Sequence, residues 1–213
     1  MNADTFNSLA TRKMHRLAGF DYRNRLAYFV TICVAGRKHV FGSVENNAVR
    51  LSRRGLIAAA EWQALPTHFP HIELDAFVVM PNHLHAILCF VDDPVGATLA
   101  SPAPSIPRGP QPGSLGAVIG GFKSGVTRRV NQLRPGVGTG MWPRDYYDHI
   151  IRNDRAHESI REYIAANPTN WAYDENNALA TNVRSFESWM ASKCREWAGD
   201  ASVAPTSERP ETT

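Results

Sequence analysis

The segment Val79–Leu88 reads Val-Met-Pro-Asn-His-Leu-His-Ala-Ile-Leu and lies where two apolar runs of the chain meet. β-Branched and aromatic residues are typical of strands, so the runs predict strands at Ile72–Met80 and His83–Val91. The connection Pro81-Asn82 favours a short turn between antiparallel neighbours. The segment therefore predicts two adjacent antiparallel strands within residues 72–91.

His83 and His85 stand two residues apart in the second of these strands. Side chains alternate between the two faces of a strand, so both imidazoles are expected on one face and Leu84 on the other, toward a core. Two neighbouring imidazoles on a rigid strand can bind a divalent metal that takes a third ligand from elsewhere. The alternative is a pair of hydrogen-bonded histidines on a half-buried sheet, and the motif alone leaves both interpretations open.

Apolar periodicity predicts the elements on either side of these strands. They are a strand at 26–34, a helix from Asn47 to about Leu65, a helix from Leu115 to Leu133 with Ser114 as N-cap, a strand in the second half of 141–151, a helix from Asn153 or Asp154 to about Asn167, and a short helix at 186–197. The first six elements have the βαββαβ order, which predicts an α+β, ferredoxin-like (RRM-like) sandwich, an antiparallel sheet with helices packed on one face. The helix that ends near Asn167 would be an additional C-terminal helix.

Changes in composition divide the chain into one domain with extensions. Residues 1–14 are predicted to be a flexible leader, and residues 15–173 to be one folded domain. Six prolines within 94–113 predict an insertion loop rather than a packed element. Residues 174–213 are predicted to be a C-terminal extension that is partly disordered.

The composition is that of an ordinary globular protein, with 43% hydrophobic residues, 20% charged residues and a net charge of +3. This mildly basic balance permits a nucleic-acid partner without requiring one. Three widely spaced cysteines with no Cys-x-x-Cys pair argue against a disulfide framework and favour the reducing cytoplasm. No apolar stretch approaches the roughly 18 residues of a membrane span, so no membrane partner is expected.

Tyr163 and Asn167 are four residues apart on a predicted helix, so they share one of its faces. If that face meets the histidines, the tyrosine hydroxyl can act as a nucleophile and the amide oxygen as a metal ligand. A tyrosine that attacks a phosphodiester becomes linked to the phosphate, which conserves the bond and allows strands to be rejoined. Taken alone, Tyr163 is more often a packing aromatic and Asn167 a helix cap before Pro168. A residue before proline also avoids helical angles, so the direction of the Asn167 side chain stays open.

Five segments together resemble the REP-associated tyrosine transposases, a branch of the HUH single-strand DNA transposase superfamily. They are 16–23 (Arg-Leu-Ala-Gly-Phe-Asp-Tyr-Arg), 28–33 (Tyr-Phe-Val-Thr-Ile-Cys), 79–85 (Val-Met-Pro-Asn-His-Leu-His), 119–127 (Ile-Gly-Gly-Phe-Lys-Ser-Gly-Val-Thr) and 142–168, which begins Trp-Pro-Arg-Asp-Tyr-Tyr-Asp-His-Ile-Ile-Arg and ends Tyr-Ile-Ala-Ala-Asn-Pro. The resemblance spans residues 15–173 and implies a catalytic domain with the ferredoxin-like fold. It rests on Met-Pro-Asn-His-Leu-His followed by Tyr-Ile-x-x-Asn-Pro, because His-x-His alone is a weak motif.

The resemblance implies a role for each residue that matches its motifs. His83 and His85 match the family's metal-binding pair, Tyr163 its catalytic tyrosine, and Asn167 a third metal ligand of related enzymes. Family members cut single-stranded DNA near palindromic hairpins, form a 5′-phosphotyrosine and leave a free 3′-hydroxyl. The implied cofactor is Mg²⁺ or Mn²⁺, and the implied partner is single-stranded DNA with hairpin or palindromic repeats. The protein is expected in the bacterial cytoplasm, at the nucleoid when in use, as a monomer or homodimer.

Further residues are candidates for contact with the substrate. Tyr146, Tyr147 and His149 would contact DNA or support a metal ligand, and packing in the core is the alternative for each. Several basic side chains would contact the DNA backbone if DNA is the substrate, and are otherwise solvated charges. They are Arg16, Arg23, Arg25, Lys123, Arg128 and Arg129.

The sequence thus predicts a metal-dependent transposase and endonuclease that cleaves and rejoins single-stranded DNA near hairpins. One alternative is a non-catalytic single-stranded nucleic-acid-binding protein on the same fold, with outward-facing aromatics such as Tyr28 or Phe77. The other is a small metallohydrolase that combines the histidines with Asp75 or Asp148 and an activated water. Metal dependence distinguishes an enzyme from the first alternative, and a protein–DNA adduct distinguishes the transposase from the second.

Overall fold

A computed structural model of the chain describes residues 26–91 and 110–201. Its strands are β1 (Ala27–Cys33), β2 (Gly42–Glu45), β3 (Ala48–Leu51), β4 (Ile72–Val79), β5 (His83–Phe90) and β6 (Tyr147–Ile151). Its helices are α1 (Arg53–Gln63), α2 (Leu65–His68), α3 (Leu115–Leu133), α4 (Asp154–Ala166) and α5 (Phe186–Ala201). The predicted leader 1–14, most of the insertion 94–113 and the end of the extension 174–213 lie outside the described residues. No helix in the two described ranges is both long and apolar enough to cross a bilayer.

Four strands form one sheet in the order β4-β5-β1-β6, and each neighbouring pair is antiparallel. With α1 and α3 between them in the chain, these strands have the βαββαβ order of the ferredoxin-like sandwich. The predicted α+β fold with an antiparallel sheet is therefore confirmed. Pairing of β1 with β5 places Thr31 opposite His85 and Cys33 opposite His83, which determines the neighbours of both histidines.

The sheet carries a separate apolar core on each face. Tyr28, Val30 and Ile32 of β1 pack with α1 and α3 on one face, as the sandwich prediction requires. Phe29 points the other way and packs against α4 and against Phe186 of α5. The additional helix predicted at the end of the domain thus covers the second face together with α5, and the centre of the sheet is buried on both sides.

The segment before α1 differs from the prediction. Residues 47–51 do not start a helix, because they include β3, which pairs with β2 in a separate two-stranded hairpin. Asn46 and Asn47 have φ angles of 51° and 61°, the left-handed conformation that a two-residue hairpin turn requires. The helix starts after Ser52, whose hydroxyl oxygen accepts a hydrogen bond from the Gly55 N–H at 3.2 Å. The prediction was wrong here because a short segment with few apolar residues fits both the helical and the strand period.

A close contact at Gly55 in the first turn of α1 predicts how a substitution changes stability. A Cβ atom at this position would lie 2.1 Å from the Phe41 carbonyl oxygen. Gly55→Ala is therefore expected to lower the free energy of unfolding by about 1–3 kcal/mol, the usual effect of overpacking. Urea denaturation measures this change.

Gly120→Ala in α3 is the matched control for Gly55→Ala. Nothing lies within 4 Å of the Cβ position at Gly120. Higher helix propensity alone should then raise the free energy of unfolding by up to about 1 kcal/mol. If both substitutions changed stability in the same direction, the packing of α1 against Phe41 would be wrong.

Candidate metal centre and nucleophile

His83 and His85 lie side by side on the face of β5 that α4 and α5 cover. Their ring centroids are 4.4 Å apart, and neither residue has exposed surface. The His85 ring stacks on Phe29 at 5.3 Å, whereas Leu84 is buried in the opposite core, as strand alternation predicts. Thr31 Oγ1 lies 2.9 Å from His85 Nδ1. A fully buried pair of imidazoles needs partners for its remaining ring nitrogens as well.

Asn82 determines which nitrogen of His83 carries the proton. Its Nδ2 donates to the backbone carbonyls of Arg37 at 3.0 Å and Asn176 at 2.8 Å. Its Oδ1 consequently faces His83 Nδ1 as an acceptor, at 2.9 Å. His83 Nδ1 must then donate, which leaves the lone pair of a neutral imidazole on Nε2.

Asp174 lies where these two imidazoles converge. Its Oδ2 is 3.8 Å from His83 Nε2 and 4.0 Å from His85 Nε2, and the three ligand atoms lie within 4.8 Å of one another. The residue follows a short helical turn, Trp171–Tyr173, and its Oδ1 accepts from the Asn176 N–H at 2.6 Å. Sequence analysis missed Asp174, because a single carboxylate in a polar run has no periodicity that points to a distant strand. The turn-forming residues around it were the available signal.

The donor atoms of this cluster fit a divalent cation. The Nε2 atoms of His83 and His85 and the Oδ1 atom of Asn167 are all buried without a hydrogen-bond partner. An unpaired buried polar atom costs about 1–3 kcal/mol, so several such atoms together favour a shared ligand. Two atoms that bind one cation at roughly 2.1 Å lie at most about 4.2 Å apart. Both histidine–Asp174 distances are below that limit.

Asn167 reaches the site from the C-terminal end of α4. It keeps helical dihedral angles, φ −58° and ψ −42°, although Pro168 follows it. The residue is 3% exposed, and it lines the same cavity as Asp174 and Tyr163. The structure thus places the amide beside the cluster, while its role as a metal ligand stays a prediction.

Burial dominates the electrostatics of the cluster. Burial, together with the charges of His85 and Arg37, lowers the pKa of His83 to about 3, against an opposing effect of Asp174. Burial acts to raise the pKa of Asp174, but its interactions with His85 and His83 outweigh this and keep it below its usual value. At neutral pH the cluster therefore offers a neutral imidazole and a carboxylate, the forms that bind a metal.

Helix α4 places Tyr163 beside the histidines. The centroid of its ring lies 5.5 Å from that of His85 and 5.9 Å from that of Phe29. On its other side, Trp189 and Phe186 of α5 pack against it at 4.8 Å and 5.3 Å. The phenol is half-buried and meets the imidazoles within one chain.

The candidate residues of the 146–149 segment divide between the two faces of the sheet. Tyr147 and His149 share the face of the histidines, with ring centroids 5.8 Å and 5.5 Å from that of Phe186. Tyr146 packs against the opposite core, where Lys123 Nζ lies 5.8 Å from the centroid of its ring. Tyr146 is therefore remote from the metal cluster, whereas the other two border the helices that cover it.

The predicted DNA-binding cations of α3 lie far from the histidines, across the sheet. Lys123 Nζ donates to three successive backbone carbonyls in 143–145, at 2.9 to 3.4 Å, and holds the loop before β6. Arg129 forms an ion pair with Glu61 of α1 at 3.1 Å. Arg128 is exposed and lines a shallow depression. The remaining candidates, Arg16, Arg23 and Arg25, lie outside the described residues.

A solved structure has the same fold as this chain. It is a REP-associated tyrosine transposase bound to a REP hairpin, which matches with a TM-score of 0.50 and 16% sequence identity. The match covers 73% of this chain and 74% of the other. The class of fold that the sequence motifs implied, that of the REP-associated tyrosine transposases, is therefore confirmed.

Sequence comparison adds a relative at higher identity. No family model matches the chain. An uncharacterized protein of Haemophilus influenzae is 33% identical over 170 residues, which cover 77% of this chain and 92% of that protein. The chain belongs to the same family as this Haemophilus protein.

The buried cluster predicts that a divalent cation stabilises the protein. Mn²⁺ at 100 times its dissociation constant should raise the free energy of unfolding by about 2.7 kcal/mol, measured as a higher Tm. Asp174→Ala should remove most of this rise, because it removes the anionic ligand. An equal rise in wild type and Asp174→Ala would exclude Asp174 as a ligand.

Asp75→Ala is the matched control, because it removes a carboxylate that lies outside the cluster. Arg161 and His157 contact Asp75 at 2.8 Å and 2.5 Å, so its loss should lower the Tm of the metal-free protein. The rise in Tm on addition of Mn²⁺ should remain.

Asn82 joins His83 to the loop that carries Asp174, so its removal should weaken the metal centre. Asn82→Ala loses both the acceptor for His83 and the donor that holds this loop. Groups that support metal ligands contribute roughly 10–100-fold to affinity, so the Kd for Mn²⁺, measured by titration calorimetry, is expected to rise by that factor. Asn131→Ala is the control, because its Oδ1 accepts from the Gly138 N–H at 2.7 Å, away from the cluster. A Kd that is equal in all three proteins would contradict this role of Asn82.

Proposed function

We propose that this protein is a metal-dependent transposase and endonuclease that cleaves and rejoins single-stranded DNA near hairpins through a 5′-phosphotyrosine. The proposal rests above all on the position of Tyr163, whose ring centroid lies 5.5 Å from that of His85, next to the metal cluster. The protein with the same fold is bound to a REP hairpin, which supports hairpin DNA as the class of substrate.

In this proposal His83, His85, Asp174 and Asn167 hold a divalent cation. When bound, the cation would polarise a non-bridging phosphate oxygen and offset the charge of the transition state. Tyr163 Oη attacks phosphorus and releases its proton to solvent, while the bond from phosphorus to the 3′ oxygen breaks and that oxygen takes up a proton. The products are a 5′-phosphotyrosine and a free 3′-hydroxyl, and attack by a 3′-hydroxyl on the phosphotyrosine rejoins the strands.

The ligand set favours one of the two cations that the family resemblance implies. Mg²⁺ prefers oxygen ligands and retains water, whereas imidazole suits Mn²⁺ and later metals better. Two of the donors here are the nitrogens of His83 and His85. We therefore propose Mn²⁺ as the better cofactor, with Mg²⁺ as the weaker one.

The structure gives little support to a non-catalytic binding protein of the RRM type. Such a protein stacks bases on aromatic side chains exposed on its central strands. Tyr28 of β1 is fully buried beneath α1 and α3, and Phe77 of β4 packs against the same core. Within the described residues, helices cover both faces of the sheet, so a stacking surface of that kind is not available.

The carboxylates predicted for a metallohydrolase are directed elsewhere. Asp75 is held by Arg161 and His157. Asp148 pairs with β1 at a register that turns it toward α1 and α3, away from the histidines. The carboxylate beside His83 and His85 is that of Asp174, and not that of Asp75 or Asp148. A hydrolase built on Asp174 differs from the proposed enzyme in one observable way, since water would cleave DNA without a covalent adduct.

A covalent adduct is the expected result of incubating the protein with Mn²⁺ and a labelled single-stranded hairpin DNA. The label should stay with the protein through denaturing electrophoresis. Tyr163→Phe should abolish the adduct, whereas Tyr146→Phe should retain it, because Tyr146 packs on the opposite side of the sheet. His83→Ala should abolish cleavage yet keep most of the DNA affinity, which phosphate contacts dominate. Cleavage without an adduct would favour the hydrolase, and an adduct on Tyr163→Phe would exclude Tyr163 as the nucleophile.

A further inference from the structure

A cavity of about 210 Å³ lies between α4 and α5, directly beside the proposed nucleophile. Tyr163, Asn167 and Asp174 are among the residues that line it, so it adjoins the metal cluster at Asp174. Pockets for drug-sized ligands usually measure about 300–1,000 Å³, so this cavity has room for one ring system rather than an extended segment of chain.

Two aromatic side chains form much of the rest of the wall. Tyr173 is 38% exposed, and Trp189 is half-buried with its ring 4.8 Å from that of Tyr163. The guanidinium of Arg184 lies over the Tyr173 ring at 5.2 Å from its centroid. Aromatic rings that alternate with an arginine are the usual surface on which unpaired bases stack, because every base has a π-face.

The charges at the rim favour a phosphate next to a stacked base. Arg184 and Lys193 both line the cavity. Lys193 is already paired with Glu196 at 3.0 Å, and Glu162 places a carboxylate on the same rim. Arg184 is therefore the cation best placed for a phosphate, with a planar group that binds two oxygens at once.

We propose that this cavity binds the nucleotide immediately 3′ of the scissile phosphate, its base against Tyr173 and Trp189 and its next phosphate on Arg184. The inference rests on the proposed function and extends it to a defined position of the substrate. In an in-line displacement the leaving 3′ oxygen lies opposite the attacking oxygen, on the far side of phosphorus from Tyr163. The nucleotide on the 3′ side of the cut stays bonded to Tyr163 through its phosphate. It therefore lies nearer to the cavity walls around Tyr163 than the nucleotide that leaves.

The C-terminal extension gains a role from this assignment. Arg184, Trp189 and Lys193 all belong to the segment after residue 173. That segment would hold the covalently attached end of the DNA in place while the cut 3′ end leaves or exchanges. The extension would then be a part of the substrate site rather than an appendage to the domain.

The test compares a single-stranded hairpin DNA with copies that carry one abasic nucleotide. The cleavage position is first read from the adduct, and the abasic nucleotide is then placed immediately 3′ or immediately 5′ of it. Dissociation constants of the full-length protein with Mn²⁺ are measured by fluorescence anisotropy on DNA in which a CH₂ group replaces the 3′ oxygen of the scissile phosphate, so that no cleavage occurs. Removing the 3′ base should weaken binding to the wild type at least fivefold, the lower end of the usual effect of one stacked base. Removing the 5′ base should change it less than twofold.

The protein variants separate stacking from a general structural effect. In Trp189→Ala, removing the 3′ base should cause a smaller loss than in the wild type, because one of the two aromatic side chains that stack on the base is gone. Arg184→Gln should weaken binding to the intact and the abasic DNA by the same factor, since it contacts phosphate. Trp197→Ala and Arg195→Gln are controls on α5 outside the cavity wall, and both should respond to the abasic DNA as the wild type does.

Two results would overturn the inference. One is a loss on removal of the 3′ base that is the same in Trp189→Ala and in the wild type. The other is an equal or larger loss on removal of the 5′ base. Denaturing gels of the same proteins with cleavable DNA and Mn²⁺ keep the two proposals apart, because a normal adduct combined with either result contradicts only the nucleotide site. The absence of an adduct with every DNA contradicts the proposed function itself.

Discussion

Two imidazole nitrogens, His83 Nε2 and His85 Nε2, are buried between the sheet and its C-terminal helices without a hydrogen-bond partner, and the rest of the site is arranged around them. At the centre of a sheet covered on both faces, leucine or isoleucine would pack without this cost, which is about 1–3 kcal/mol for each unpaired atom. Packing therefore does not account for the two histidines. Their neighbours instead direct the lone pairs to one point, since Asn82 and Thr31 contact the Nδ1 atoms.

Local periodicity accounts for the parts of this site that the sequence could predict. The strand period of two placed both histidines on one face, and the helical spacing of four placed Tyr163 and Asn167 on another. The fold followed from the order of strongly patterned elements such as Leu115–Leu133, which the structure reproduces residue for residue. Packing of α4 on the sheet brought these two sets of residues together, and their approach could be inferred from the family resemblance but not from spacing alone.

The features that the sequence did not reveal depend on contacts between distant residues. Asp174 belongs to a loop with no apolar pattern, and Asn82 Nδ2 holds that loop through the carbonyl of Asn176, 94 residues further along. The hairpin at 42–51 was missed because its turn residues, Asn46 and Asn47, resemble a helix start as much as a left-handed turn. A short helix near Phe186 was expected, but its place against Phe29 and Tyr163 was not.

Residues after Tyr173 complete the site. Asp174 supplies the carboxylate of the cluster, and Phe186 and Trp189 of α5 pack over the Tyr163 ring. The central claim is that His83, His85 and Asp174 bind one divalent cation. An anomalous difference map from crystals grown with Mn²⁺ tests it most directly. We expect a single strong peak at roughly 2.1 Å from His83 Nε2, His85 Nε2 and a carboxylate oxygen of Asp174. A map with no peak there, with the Nε2 atoms bound to water or turned to other partners, would contradict the account.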